Sequence, residues 1–359
     1  MSQAKAVVEQ LICKLKYSIA VYAVFVNHSS QYHVKMTTET TEKYVVFETD
    51  MGADDAWALQ MLLKAEKHLK NVKVLAITIV NGNTTVENSI KNTYRILDGL
   101  DRTDIPIYKG ATEALIPGEL KRGTWYGGNG FCDVDFWDTN VYPSDVKTLV
   151  QPKHAVEIIR DLILEHPHKI SLICLAPLTN IALAVKTYPE IRDKICEIFI
   201  MGGNFQGVGN TTSCAEFNFY IDPEAVHIVL ETVTCPIIIL PWECCLEENL
   251  LISTEWRFKT FEHVKCKNVA LFNEIDEIAY KDCDSFAPCD AYLTAAFLFP
   301  EKCILTKRQY HATIELQGAH TRGQVVLDHN RRNKHNITMI QTMNEEEVKN
   351  ALILAGTPQ

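Results

Sequence analysis

The chain has no excess of positive charge: 35 Lys and Arg stand against 45 Asp and Glu, for a net charge of −10. No basic stripe interleaved with aromatics offsets this, so a surface that tracks a nucleic-acid backbone is excluded as the main business of the protein. Also missing is an apolar run long enough to cross a bilayer. The longest candidate, Tyr17 to Val26 after Lys14 and Lys16, has the length of a signal-peptide core and no more. The twelve cysteines lack paired C-x-x-C spacing, and Cys174, Cys196 and Cys235 lie inside apolar, strand-like runs. That pattern excludes a zinc ribbon and reads as reduced thiols in a chain too large to need disulfide staples. Linkers, repeats and low-complexity tracts are absent. What remains is a chain with 47% hydrophobic residues, enough for a sizeable core.

Short apolar strands alternate with amphipathic helices from Tyr44 onward. Tyr44 to Phe47, Val72 to Val80, Ile170 to Leu175, Glu197 to Met201 and Ile237 to Leu240 read as strands. Helices are expected over roughly Ala56 to Leu63, Thr85 to Leu97, Leu178 to Val185 and Pro223 to Leu230. Near-continuous apolar strands in this alternation predict an α/β fold: an open, mostly parallel (mixed) sheet with helices on both faces and a Rossmann-like core. Residues 115–149, rich in Gly, Trp, Tyr and Asp, read as a long functional loop. His311 to Leu316 and Gln324 to Leu327 suit a hairpin, and Asn344 a final helix cap. Residues 1–43 read as an extension that is disordered or signal-like, and 44–359 as one domain.

Ligands of open α/β sheets bind outside the carboxyl ends of the strands, and polar clusters gather there. Asp50, Asp54 and Asp55 sit within six residues, between the first strand and its helix. Three such acids repel one another unless a cation lies between them, and a hard divalent ion such as Ca²⁺ or Mg²⁺ takes oxygen ligands. Asn83 follows the second strand. At the corner Leu175-Ala176-Pro177-Leu178-Thr179-Asn180 the Leu175 carbonyl is free to face an ion, with Thr179 or Asn180 able to cap. Glu216 and Asn218 alternate with Phe217, so an extended segment would present both to one side, suiting a polyhydroxylated ligand. Asp222-Pro223 is a helix cap followed by proline. Asp290, in Ala287-Pro288-Cys289-Asp290-Ala291, reads by itself as an N-cap more readily than as a ligand. The glycines after Met201 are not followed by Gly-Lys-Ser/Thr, which argues against a triphosphate site.

These ordered motifs resemble the inosine-uridine-preferring nucleoside hydrolase family. The resemblance runs through Glu48-Thr49-Asp50-Met51-Gly52-Ala53-Asp54-Asp55, Gly82-Asn83, Pro177-Leu178-Thr179-Asn180-Ile181-Ala182, Met201-Gly202-Gly203, Ala215-Glu216-Phe217-Asn218 and Thr321-Arg322-Gly323. It implies a tightly bound Ca²⁺ and hydrolysis of the N-glycosidic bond of ribonucleosides to ribose and free base. By matching position, Asp50, Asp55, Asp290 and the Leu175 carbonyl would hold the ion, and Asp50 would take a proton from the attacking water that Asn83 orients. Asp54 and Asn218 would grip the 2′- and 3′-hydroxyls, while Asn210 and Glu216 reach the 5′-hydroxyl.

Two positions depart from the family pattern. Glu48 stands where the family has Asp. Cys289 stands where broadly acting members carry the His that protonates the departing base, which places the chain with the subgroup bearing Cys; a thiol of pKa about 8.5 is no substitute for an imidazolium. Tyr126 is a candidate donor, and Trp125, Trp137 and Trp242 are candidate faces for the base. The loop Tyr126-Gly127-Gly128-Asn129-Gly130 suits a lid. Purine nucleosides such as inosine are the expected substrates. The alternatives are a weak or inactive ribose- or nucleoside-binding homologue and an Mg²⁺ phosphatase. A homodimer or homotetramer is expected. Sequons at Asn83 and Asn210, inside the expected site, favour the cytoplasm, with secretion the alternative if residues 17–26 act as a signal.

Overall fold

The computed structural model describes residues 42–118, 125–246 and 250–358, so the expected extension over 1–43 lies outside the described residues except for its last two. The order of elements is β1 (Lys43–Thr49), α1 (Ala53–Leu69), β2 (Val72–Ile79), α2 (Val86–Gly99), β3 (Ile107–Lys109), α3 (Ala155–Glu165), β4 (Ile170–Cys174), α4 (Thr179–Thr187) and β5 (Glu197–Met201). Then come α5 (Phe217–Ile221), α6 (Pro223–Thr232), β6 (Ile237–Leu240), α7 (Thr254–Phe261), α8 (Lys267–Ala279), α9 (Cys289–Leu298) and α10 (Pro300–Cys303). The chain finishes with β7 (Ile304–Tyr310), β8 (Ala312–Ile314), β9 (Val325–Leu327), β10 (Ile337–Met343) and α11 (Glu345–Gly356).

Eight strands form one sheet in the order β3-β2-β1-β4-β5-β6-β10-β7, parallel throughout except for the β10–β7 pair. Strand β1 lies centrally because it can be buried on both faces: Val45, Val46 and Phe47 are fully enclosed. Alternate residues of it feed two apolar layers. Val45 and Phe47 pack with Trp57, Leu59 and Leu62 of α1 on one face, and Val46 with Leu172, Ile181 and Val226 on the other. This is the mixed, helix-covered sheet that the alternation of apolar runs predicts. Strands β8 and β9 pair as the expected hairpin, which Arg322 ties to α6 by two 2.8 Å bonds to Glu224. Among the described residues no helix is long and apolar enough to cross a membrane.

Several local expectations hold, since short-range chemistry decides them. Asn344 accepts from the Glu347 amide, and Asp222 from the Ala225 amide with Pro223 next. Three others are overridden by tertiary partners. Thr179 and Asn180 do not cap α4: the Thr179 hydroxyl donates to Asp222 at 2.7 Å and the Asn180 amide to Glu48 at 2.7 Å. Asp290 is not an N-cap either, because Pro288 holds that position and Asp290 lies inside the first turn. Residues 217–221 are helical rather than extended, which separates Glu216 from Asn218 by a cap boundary instead of aligning them on one strand face.

Candidate active site

All the parallel strands of the sheet end on one side, and the segments that leave β1, β2, β4 and β5 ring a cavity of about 920 Å³. Its floor begins where β1 turns into α1. Met51 adopts a left-handed backbone, φ 40°, unusual for a side chain of that size. The strain is held by bonds at both ends: its amide donates to the Thr49 hydroxyl (2.9 Å) and its carbonyl accepts from Asn92 (2.9 Å). The turn aims three carboxylates at one place. Asp55 accepts from the Thr49 hydroxyl at 2.5 Å and the Gly52 amide at 2.8 Å, closing a capping box on α1. Asp50 accepts from the Asn83 backbone at 2.6 Å and the Asn83 side chain at 3.1 Å. Gly82 makes that approach possible, since a Cβ there would stand 1.8 Å from the Asp50 oxygen.

Oxygens of Asp54, Asp55 and Asp290 lie within 4.8 Å of one another. Asp54 and Asp290 line the cavity, while Asp50 and Asp55 are fully buried beside them. One oxygen of Asp54, Oδ1, is buried without a hydrogen-bond partner. Such an atom costs free energy unless something positive or protic meets it. Burial, then the charge of Asp50, raises Asp54 to about 7. Burial likewise raises Asp50 to about 6, against the pull of the Asn83 bonds. For Asp55 and Asp290 burial comes first and the neighbouring carboxylates add to it, pushing both well up. Below them Glu48 is pushed to about 8 by burial, although Thr78 and Asn180 donate to it. A cluster so reluctant to ionise fits a hard divalent cation, whose charge would let every carboxylate keep its own.

The remaining expected residues reach the same cavity in altered roles. Both protons of the Asn218 amide are taken, by the Leu175 carbonyl at 3.0 Å and the Met201 carbonyl at 3.1 Å. Asn218 therefore has only Oδ1, an acceptor, to give a ligand hydroxyl. The Leu175 carbonyl accepts this bond and retains one lone pair for an ion. Glu216 caps α5 by accepting from the Asn218 (2.9 Å) and Phe219 (3.1 Å) amides, and it also accepts from Gly203 at 2.8 Å. Burial nevertheless raises it to about 7. Asn210 is exposed at the rim, its Oδ1 accepting from the Phe217 amide at 2.9 Å.

Rings and sulfur line the same cavity. Trp125, Tyr126, Trp242 and Tyr280 line it together with Cys245, Cys283 and Cys289. The Tyr126 and Tyr280 hydroxyls are 3.5 Å apart, and Trp125 meets Tyr280 edge-on at 6.0 Å. Trp137 is elsewhere, stacked on Tyr142 at 4.6 Å. Tyr280 and Cys245 escape a reading of the sequence because neither sits in a motif. The adjacent Cys244-Cys245 pair was the only visible signal. The cavity is strongly acidic, lined by Asp54, Glu216, Asp282, Asp284 and Asp290, so a phosphorylated ligand meets repulsion and an uncharged polyol does not.

Residues 45–350 match the family described as inosine-uridine preferring nucleoside hydrolase. A nucleoside hydrolase of that description from Leishmania major is 30% identical over 293 residues, covering 79% of this chain and 87% of the relative. The pyrimidine-specific ribonucleoside hydrolase RihA of Escherichia coli is 29% identical over 289 residues, covering 79% and 88%. Among solved structures, an inosine-guanosine nucleoside hydrolase superposes with a TM-score of 0.78 at 27% identity, covering 87% of this chain and 98% of that one.

Proposed function

The chain belongs to the inosine-uridine preferring nucleoside hydrolase family, whose chemistry is hydrolysis of the N-glycosidic bond of ribonucleosides, and on that premise we propose that it acts as a Ca²⁺-dependent purine nucleosidase with inosine among its substrates. The observation that supports the metal part of this reading is that oxygens of Asp54, Asp55 and Asp290 lie within 4.8 Å of one another, with one Asp54 oxygen left unpartnered and so able to meet a sugar hydroxyl at the edge of the ion site. Asp50, Asp55, Asp290 and the Leu175 carbonyl hold the ion in this reading. When bound, Ca²⁺ supplies positive charge that acidifies the attacking water and offsets the carboxylates. Asp50, fixed by both Asn83 bonds, receives the proton from that water, and Asn83 keeps the base aimed. Asp54 and the Asn218 Oδ1 accept the 2′- and 3′-hydroxyls, while Asn210 and Glu216 meet the 5′-hydroxyl. Sugar anchored among carboxylates favours an oxocarbenium-like transition state as positive charge grows at the anomeric carbon.

The purine preference rests on the rings that line the cavity. Trp125, Tyr126, Trp242 and Tyr280 offer faces and hydroxyls to a flat base, and Tyr126 is the donor best placed to serve a leaving ring where Cys289 replaces histidine. The relatives' printed names include both pyrimidine-specific and inosine-guanosine enzymes, so the base is the point to test. Inosine, adenosine, guanosine, uridine and cytidine, each with Ca²⁺ and with chelator, should show release of ribose fastest from inosine and only with Ca²⁺. Faster turnover of uridine would overturn the purine reading, and binding without ribose release would select the inactive homologue. Residues 44–359 act in this reading as one domain within a cytoplasmic homodimer or homotetramer. Asn83 and Asn210 support the compartment, because glycans there would stand in the cavity they line. Light scattering of the purified chain tests the assembly.

A further inference from the structure

Away from the cavity, buried charge is already satisfied: Arg257 pairs with Asp276 at 2.8 Å inside a ring of Trp57, Phe261 and Phe286. Within the cavity, charge is left over. Asp54, Glu216, Asp282, Asp284 and Asp290 line it, and among the described residues no Lys, Arg or His does. A divalent ion would offset part of this charge, but Asp282 and Asp284 belong to no ion site in the reading above. Asp282 meets Lys281 at 3.9 Å with both side chains exposed, a pairing of little worth in water. The Asp284 carboxylate makes no ion pair among the described residues. Rings accompany these acids. Tyr280, at the end of α8, lines the cavity together with Asp282, Asp284 and Ser285. Backbone bonds fix this stretch, the Cys283 amide to the Tyr280 carbonyl and the Thr254 amide to the Asp284 carbonyl, each at 3.0 Å. The Ser285 hydroxyl is buried with no hydrogen-bond partner, a polar atom that a ligand group would satisfy. Trp125 packs edge-on against Tyr280 at 6.0 Å and is itself 56% exposed. Aromatic faces attract cations, as carboxylates do. Both kinds of lining therefore select the same sign.

We propose that the site takes ribonucleosides whose base already carries a positive charge, an N-alkylated purine or another quaternised ring, in preference to their neutral counterparts. The proposal rests on the hydrolase reading for its reaction and adds the charge of the substrate. Leaving-group chemistry points the same way. A neutral base gains a proton as it departs, and no histidine among the described residues lines the cavity to give one. A cationic base needs none. The oxygen of water bonds to the anomeric carbon, the glycosidic bond breaks with its electron pair passing to the ring nitrogen, and the ring leaves neutral. One proton of the water is released to solvent. Ribose, neutral base and one acid equivalent are the products, whereas a neutral nucleoside keeps that proton on its base.

Binding is tested first, with 1-methylnicotinamide against nicotinamide on the full-length chain in Ca²⁺, read by ligand-observed NMR. The two rings differ by a methyl group and a charge and have no glycosidic bond, so this readout is independent of turnover. The cation should bind at least about fivefold more tightly, and the gap should narrow as NaCl is raised. Turnover is tested with 7-methylguanosine in its cationic form against guanosine, in mildly acidic buffer. The ratio of their kcat/KM values should lie well above one, and Asp284→Asn should lower it by about 3- to 10-fold. Comparing that ratio between wild type and variant cancels the greater intrinsic lability of the methylated nucleoside, and Asp282→Asn serves if the first variant folds poorly. Equal affinities for the two rings, or a ratio unmoved by the variant while ribose is still released, would overturn the proposal and leave the hydrolase standing. Release of ribose from neither nucleoside would overturn both.

Discussion

The acids of the site are held by a dense web of short bonds: Asp55 by Thr49 and Gly52, Asp50 by both groups of Asn83, and Glu216 by three backbone amides. The rings and thiols of Trp125, Trp242, Cys245 and Cys289, by contrast, meet the ligand space mainly through apolar surface and sulfur, with the 3.5 Å contact of Tyr126 and Tyr280 as one of the few polar ties. The difference teaches where reaction and preference are kept apart. Charge that must be aimed to within fractions of an ångström is built on strand ends and a helix start, where backbone fixes it. Recognition of a flat ring tolerates looser tethers.

The most forceful way to break this contrast is to remove an acid. Asp50→Ala is expected to lower kcat on inosine by at least about 10³-fold, within the range of a lost general base compounded by a damaged ion site. Retention of a tenth of the wild-type rate would remove Asp50 from the chemistry. Chelation comes next: EGTA should abolish turnover and Ca²⁺ restore it.

Metal removal also has a pH signature whose sign follows from burial. Asp50, Asp54 and Glu216, raised to about 6, 7 and 7, bind protons more tightly in the folded chain than in the unfolded one. Their contribution is fully present below the ordinary carboxylate pKa of about 4 and is lost as pH rises through 6 to 7. The Tm in EGTA should therefore fall between pH 5 and 8 relative to the Tm in Ca²⁺, and parallel curves would contradict a shared ion site.

Smaller effects belong to the wall. Trp242→Ala should raise KM for inosine by about 3- to 10-fold, the worth of one aromatic contact, and change the inosine-to-uridine ratio more than kcat. Cys289→Ser, nearly the same size, should alter kcat by less than about threefold. A larger loss would move the thiol from the wall into the chemistry.

Legibility in the sequence followed the same division. Apolar runs with period and flanking turns announced β1, β2, β4, β5 and β6, because burial on both faces leaves little freedom in composition. The floor was legible too, as Asp50, Asp54 and Asp55 are local in the chain. Asn218 and Glu216 were placed in the cavity but misjudged in form: a cap that gathers three amides turned the expected extended segment into helix. Thr179 and Asn180 looked like caps and are cross-braces to Asp222 and Glu48. Tyr280, Cys245 and Asp284 come from segments with no motif, and only the fold brings them to the ring.

Asn218 straddles the ends of two neighbouring strands, one amide proton on Leu175 after β4 and the other on Met201 of β5. A single side chain thus acts as a spacer bar across the mouth of the sheet. The separation of those two strand ends is inherited from the β-sheet repeat of about 4.8 Å and cannot yield to a bulkier sugar. Adaptation of this pocket to new ligands must then proceed by enlarging it toward Trp125 and Trp242, and selection for a wider sugar would have to begin by replacing Asn218.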